Sequence, residues 1–156
     1  MKKVIIIFCM IVSCYVSQAQ TKEETVAWIN SYASKLLWSS NISVTEEGIL
    51  TIDEVGTGID QGVLRMRYIC DLKYSILKNE IDSFKTVGGD YMYTYGFTTN
   101  GNKVTIKNYY RNGLSEEGKY MSFRSEDKKG LERVAKAIYH LAKLFGATEK
   151  PKENIF

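Results

Sequence analysis

His140 is the single histidine of the chain. It falls in a run in which Lys129, Arg133, Lys136, His140 and Lys143 recur at alternating steps of four and three, a spacing that keeps side chains on one face of a helix. Such a stripe can dock on an anionic surface of the cell envelope; it is also what the polar back of any amphipathic helix needs. A zinc site of ordinary composition draws several His or Cys ligands. One histidine and Cys70 leave carboxylates to do nearly everything, so no metal site, catalytic residue or cofactor is assigned. Phosphate loops, nucleophile elbows and HExxH motifs are absent from the sequence. Asp53 and Glu54 are the most suggestive carboxylates, but neighbours in a strand point to opposite faces and would not act together.

A second surface is offered by Tyr91-Met92-Tyr93-Thr94-Tyr95-Gly96-Phe97, where every second residue is aromatic. In a strand, Tyr91, Tyr93, Tyr95 and Phe97 share one face, either as a platform for a sugar or peptide or as core beneath a helix. The core reading is favoured, because large aromatics dominate burial. Arg65 and Arg67 alternate with Leu64, Met66, Tyr68, Cys70 and Leu72 and read as solvated sheet arginines. Cys70, on the apolar side, reads as a buried thiol.

The first nineteen residues read as an export signal. Lys2 and Lys3 precede an apolar run from Val4 to Val12, and Ser17-Gln18-Ala19 puts small residues where signal peptidase cuts. A rival site, Ile11-Val12-Ser13-Cys14, fits lipoprotein processing, with Cys14 carrying the lipid and tethering the chain to a leaflet. Cleavage before Gln20 is favoured, since the apolar run would otherwise end almost on top of the cysteine. The protein is then periplasmic or secreted, and it meets a membrane only if lipidated at Cys14.

Residues 20–156 are enough for one domain with a real core. Of 21 basic and 18 acidic residues in the chain, two lysines belong to the signal, so the remainder is nearly neutral and nucleic acid is not an expected partner. With Cys9 and Cys14 in the signal, Cys70 has no cysteine to pair with. A single proline, Pro151, and the lack of low-complexity stretches argue against linkers.

Thr21-Lys22-Glu23-Glu24 has the capping-box spacing that opens a helix. Val26, Ile29, Ala33, Leu36 and Leu37 then give it one apolar face to about Trp38. Short alternating segments follow: 42–45, 49–55, 63–72, 81–87, 91–98, 103–110 and 119–124. Glu47-Gly48, Gly88-Gly89-Asp90 and Asn100-Gly101 supply turns. Leu131, Val134, Ala135, Ile138, Leu141, Ala142 and Phe145 mark a C-terminal amphipathic helix, with Gly146 as its stop and Pro151 forbidding a restart.

About seven antiparallel strands closed by a C-terminal helix resembles the layout of pleckstrin-homology-like domains, with an added N-terminal helix. The resemblance implies an α+β fold with one curved sheet. The phosphoinositide-binding members use a lysine in the first hairpin and a later Arg-x-Arg; here Arg65-Met66-Arg67 is present. No lysine lies between Lys35 and Lys73, however, and the first hairpin carries Glu46 and Glu47, so that activity does not transfer. The amphipathic ends, TKEETVAWINSYASKLL and VAKAIYHLAKLFG, also resemble small exported Gram-negative proteins of unknown function. The expectation is a single exported α+β domain that binds an envelope protein, peptide or glycan without catalysis. The alternative is a small envelope hydrolase or ligand carrier using carboxylates in a sheet cavity.

Overall fold

The first described helix begins where the capping box marks it. The structure, a computed structural model, describes residues 21–38, 40–56, 62–77, 81–85, 91–111 and 113–149. Residues 1–19, read above as an export signal and including Cys14, lie outside the described residues, as do Gly88-Gly89-Asp90 and Pro151. In α1 (Lys22–Tyr32), the Glu24 N–H donates to Thr21 Oγ1 at 3.1 Å and the Thr21 N–H donates to Glu24 Oε2 at 3.0 Å. This satisfies two amides that a helix start leaves free. The helix tightens into a 3₁₀ turn at Ala33–Leu36 instead of running on to Trp38.

Among the described residues the chain then forms ten short strands: β1 (Ser40–Val44), β2 (Ile49–Val55), β3 (Leu64–Asp71), β4 (Ser75–Leu77), β5 (Ile81–Lys85), β6 (Tyr91–Thr99), β7 (Val104–Asn108), β8 (Leu114–Gly118), β9 (Tyr120–Ser125) and, after α2 (Lys128–Leu144), β10 (Thr148–Glu149). They make two sheets, not one curved sheet of about seven strands. The first has the antiparallel order β1-β2-β3-β7-β8; in the second, β6 pairs with β9 on one edge and with β4 and β5 on the other, and β10 lies parallel to β4. The division starts at the 3₁₀ turn Leu72–Tyr74, where the Asp71 carboxylate accepts the Lys73 N–H at 3.1 Å and turns the chain out of the first sheet. β8 was hidden in the sequence because Leu-Ser-Glu-Glu-Gly has no apolar alternation; its pairing with β7 makes it a strand. β4 and β10 are too short to produce a period.

Helix α1 closes the edge of the first sheet with side chains. Asn30 donates to the Val44 carbonyl at 2.9 Å and accepts the Val44 N–H at 2.8 Å, while the Ile42 N–H donates to Ser34 Oγ at 2.9 Å. Asn30 of the helix and Ser34 of the 3₁₀ turn that follows it thus take the backbone groups that another strand would otherwise take. Between the sheets and α2 lies one hydrophobic cluster: Leu50, Ile52, Cys70 and Val104 from the first sheet, Tyr95, Phe97, Met121 and Phe123 from the second, and Leu131, Val134, Ile138 and Leu141 from α2. α2 stops as expected at Gly146, whose φ of 85° suits a residue without a Cβ. The same helix end is fastened to the β1–β2 turn: a Cβ on Gly48 would come within 2.8 Å of the Phe145 ring.

Candidate functional site

α2 carries its apolar residues inward, and the opposite face rises as a basic ridge. Lys129, Arg133, Lys136 and Lys143 are exposed and His140 is half-buried. An open groove flanks the ridge on each side, and Lys136 borders both. The groove between α1 and α2 encloses about 470 Å³ and is lined by Trp28, Arg133, Lys136, Ala137 and His140. Ala137 keeps its floor low. The Arg133 guanidinium lies 5.7 Å from the centre of the Trp28 ring. A guanidinium laid over an aromatic face keeps its N–H edge available for a carboxylate or phosphate. Three basic side chains thus border one groove whose lining residues include no acid. The other groove, about 440 Å³, lies between α2 and the β5–β6 pair; Glu132 there offsets Lys128 and Lys136, and Tyr139 stands at its side. Lys143 lies 5.6 Å from the Tyr139 ring, away from the groove between the helices.

The aromatic row of β6 divides in two. Tyr95 and Phe97 are core residues, 2 % and 0 % exposed, so they are not available as a ligand platform. Tyr95 packs on Phe123 with ring centres 5.4 Å apart, and burial pushes its phenol up to about 12, with Tyr139 adding to the shift. Tyr93 is half-buried and Tyr91 is 53 % exposed. The taper follows from where the helix starts: Lys128, the first residue of α2, sits 5.9 Å over the Tyr93 ring. Tyr91 lies one pleat further along the strand and is the most exposed of the row.

The neighbouring carboxylates Asp53 and Glu54 face opposite ways, as strand geometry demands. Asp53 forms a two-pronged pair with Arg67 on the outer face, at 2.6 Å and 2.8 Å, and this bond holds the guanidinium more firmly protonated than usual. Glu54 faces the core side. There, burial raises the Tyr68 phenol above its ordinary range; the negative charges of Glu54 and Glu116 add to the rise, and Arg124 opposes it. Sequence reasoning did not join these residues, because they come from β2, β3, β8 and β9. The register of the first sheet puts Glu54, Tyr68 and Glu116 on one face, while Arg124 belongs to the second sheet. Trp28 was likewise missed as a wall of the basic groove, although its place on the first helix was legible. Cys70 is 1 % exposed, and burial pushes its thiol up to about 11.

Among the described residues, no three His, Cys, Asp or Glu side chains gather as a metal site would require, and no helix is long and apolar enough to cross a membrane. No family model matches the chain, and neither a curated protein nor a solved structure matches it.

Proposed function

We propose that this protein is a non-catalytic binding domain of the cell envelope that holds an acidic partner, peptide or glycan, against the basic face of α2. One observation carries the reading: Arg133, Lys136 and His140 line a single groove with Trp28 and with no acid among the lining residues. The Arg133 and Lys136 cations, brought together in this way, repel one another. An anion in the groove relieves that repulsion, and the helix supplies the needed spacing, since side chains three and four residues apart are neighbours on its surface. The Trp28 ring holds the Arg133 guanidinium in place before a ligand arrives, which lowers the ordering cost of binding. Lys129 and Lys143 extend the positive field along the ridge, about 21 Å from end to end at 1.5 Å per residue, and steer an acidic chain toward it. Export, by the signal read in residues 1–19, brings the domain to the compartment where such partners occur.

Titration of residues 20–156 with poly-L-glutamate and with polygalacturonate tests this. Binding by at least one polymer is expected, weakening as salt rises and falling at least tenfold in Arg133→Glu/Lys136→Glu with thermal unfolding unchanged. Absence of binding at low salt, or equal binding by the charge-reversed variant, contradicts it.

A further inference from the structure

The groove on the other flank of the ridge, between α2 and the β5–β6 pair, has an open strand along its sheet side. β5 pairs antiparallel with β6 from Ile81↔Tyr95 to Lys85↔Tyr91, and among the described residues no strand pairs with its outer edge. Asp82 and Ser83 of β5 are exposed. An open edge presents a row of backbone N–H and C=O groups that another extended chain can take up. On β1 such groups are taken by Asn30 and Ser34; among the described residues no side chain does this for β5. The register sets Ile81 and Ser83 on the face that Tyr95 and Tyr93 turn toward α2. Over that face the helix offers Lys128, Glu132 and Lys136, which line the groove of about 440 Å³ together with Ile81, Ala135 and Tyr139. Among the described residues neither lysine closes an ion pair with Glu132.

We propose that β5 takes up an extended peptide as an added strand, and that alternate residues of this peptide run acid, base, acid along the groove. Two repeats make the match. The helix row recurs every four residues, about 6.0 Å at 1.5 Å per residue. Side chains on one face of a strand recur every two residues, about 6.8 Å at 3.4 Å per residue. Lys128 lies 5.9 Å over the Tyr93 ring and also lines the groove with Tyr95, so the helix row follows β6 and its partner β5 along that pleat. A strand laid there brings three successive inward side chains to Lys128, Glu132 and Lys136, and flexible side chains absorb the mismatch of about 0.8 Å per step. The central base lays its stem across Ile81 and Ala135 and sets its charge on Glu132, while the flanking acids meet the lysines. Main-chain bonds to β5 supply affinity, and the alternate side chains supply specificity. Charge disfavours the other occupants. A polyanion meets Glu132, and a second copy of this chain would turn Ile81 and Ser83 of its own β5 toward the row, with no acid for either lysine. A peptide bound here needs nothing from Trp28, Arg133 or His140, which line the groove on the opposite flank.

Calorimetric titration of residues 20–156 with the peptide Val-Glu-Thr-Lys-Thr-Glu-Val and with its charge-swapped counterpart Val-Lys-Thr-Glu-Thr-Lys-Val tests the proposal. Wild type should bind the first at least tenfold more tightly than the second. Lys128→Glu/Glu132→Lys/Lys136→Glu should reverse that order with thermal unfolding unchanged, and Glu132→Lys alone should already narrow the difference. Methylation of the peptide's backbone amides separates strand addition from a contact of charges alone. Methylating either the threonine amides or the charged-residue amides should abolish binding and the other set should leave it intact, because only one alternate set faces β5. Equal affinity for the two peptides, an order that survives in the charge-swapped variant, binding indifferent to both methylated sets, or a dimer in sedimentation that excludes the peptide would overturn the proposal. Discrimination lost with polyglutamate binding intact sinks only this proposal; discrimination kept without polyglutamate binding sinks only the reading of the groove between the helices.

Discussion

Replacing Tyr95 by alanine should cost about 3–5 kcal/mol, whereas the same change at Tyr91, on the same face of the same strand, should stay within about 0.5 kcal/mol. The contrast comes from exposure, 2 % against 53 %. A buried tyrosine removes about 150–250 Å² from water, and at about 25 cal/mol per Å² that is about 4–6 kcal/mol. Residual compactness of the unfolded chain lowers the figure into the range seen for emptied aromatic sites. Ring contacts with Phe123 at 5.4 Å and Phe97 at 6.5 Å leave little room for collapse into the space. Urea unfolding of wild type, Tyr95→Ala and Tyr91→Ala provides the comparison. The phenol adds an alkaline signature. Burial lifts it from 10.0 to about 12, so between those values the unfolded chain has shed a proton that the native chain retains. Stability therefore falls as pH rises through that window, by at most about 1.4 kcal/mol per pH unit. Tyr95→Phe should remove that part of the slope. An unchanged midpoint in Tyr95→Ala, or equal losses at the two positions, would refute the reasoning.

Leu141 is fully buried in α2, so Leu141→Ala should lower stability by about 2–5 kcal/mol in the same assay; an unshifted midpoint would mean that the helix is not part of the core. Cys70, enclosed and with its thiol pushed up to about 11, should resist iodoacetamide at pH 8 until urea unfolds the chain. Rapid labelling of the native protein would contradict its place in the core. If residues 1–19 direct export, the native protein should begin at Gln20 on N-terminal sequencing, and a lipidated Cys14 would instead assign it to a membrane leaflet.

Periodicity made the two helices legible, because each meets its neighbours along one apolar stripe and starts or stops at a local signal, the Thr21 capping box and Gly146. β2 was legible to its boundaries, 49–55, because it alternates cleanly between turns. The two-sheet division was not. It depends on β6 pairing with β9 and not with β7, a choice made by long-range register that no local pattern encodes. The basic ridge was readable from spacing alone. Its flanking grooves were not, since Trp28 comes from a helix more than a hundred residues away in sequence. Alternation put Tyr91, Tyr93, Tyr95 and Phe97 on one face, yet how far the helix covers that face is set by the start of α2 at Lys128. The register of the first sheet sets Glu54 and Glu116 on the same face as Tyr68 although they come from different strands.

The chain has two tryptophans: Trp28 borders the basic groove and Trp38 lies beside Arg124. Protein labelled with 5-fluorotryptophan therefore carries one ¹⁹F reporter in the basic groove and one away from it. Titration with poly-L-glutamate at low salt should move the Trp28 resonance progressively, leave that of Trp38 in place, and lose its effect in Arg133→Glu/Lys136→Glu or at high salt. A Trp28 resonance that stays fixed while the polymer is added, or one that moves equally in the charge-reversed variant, would contradict the claim that the basic face of α2 is where this protein holds its partner.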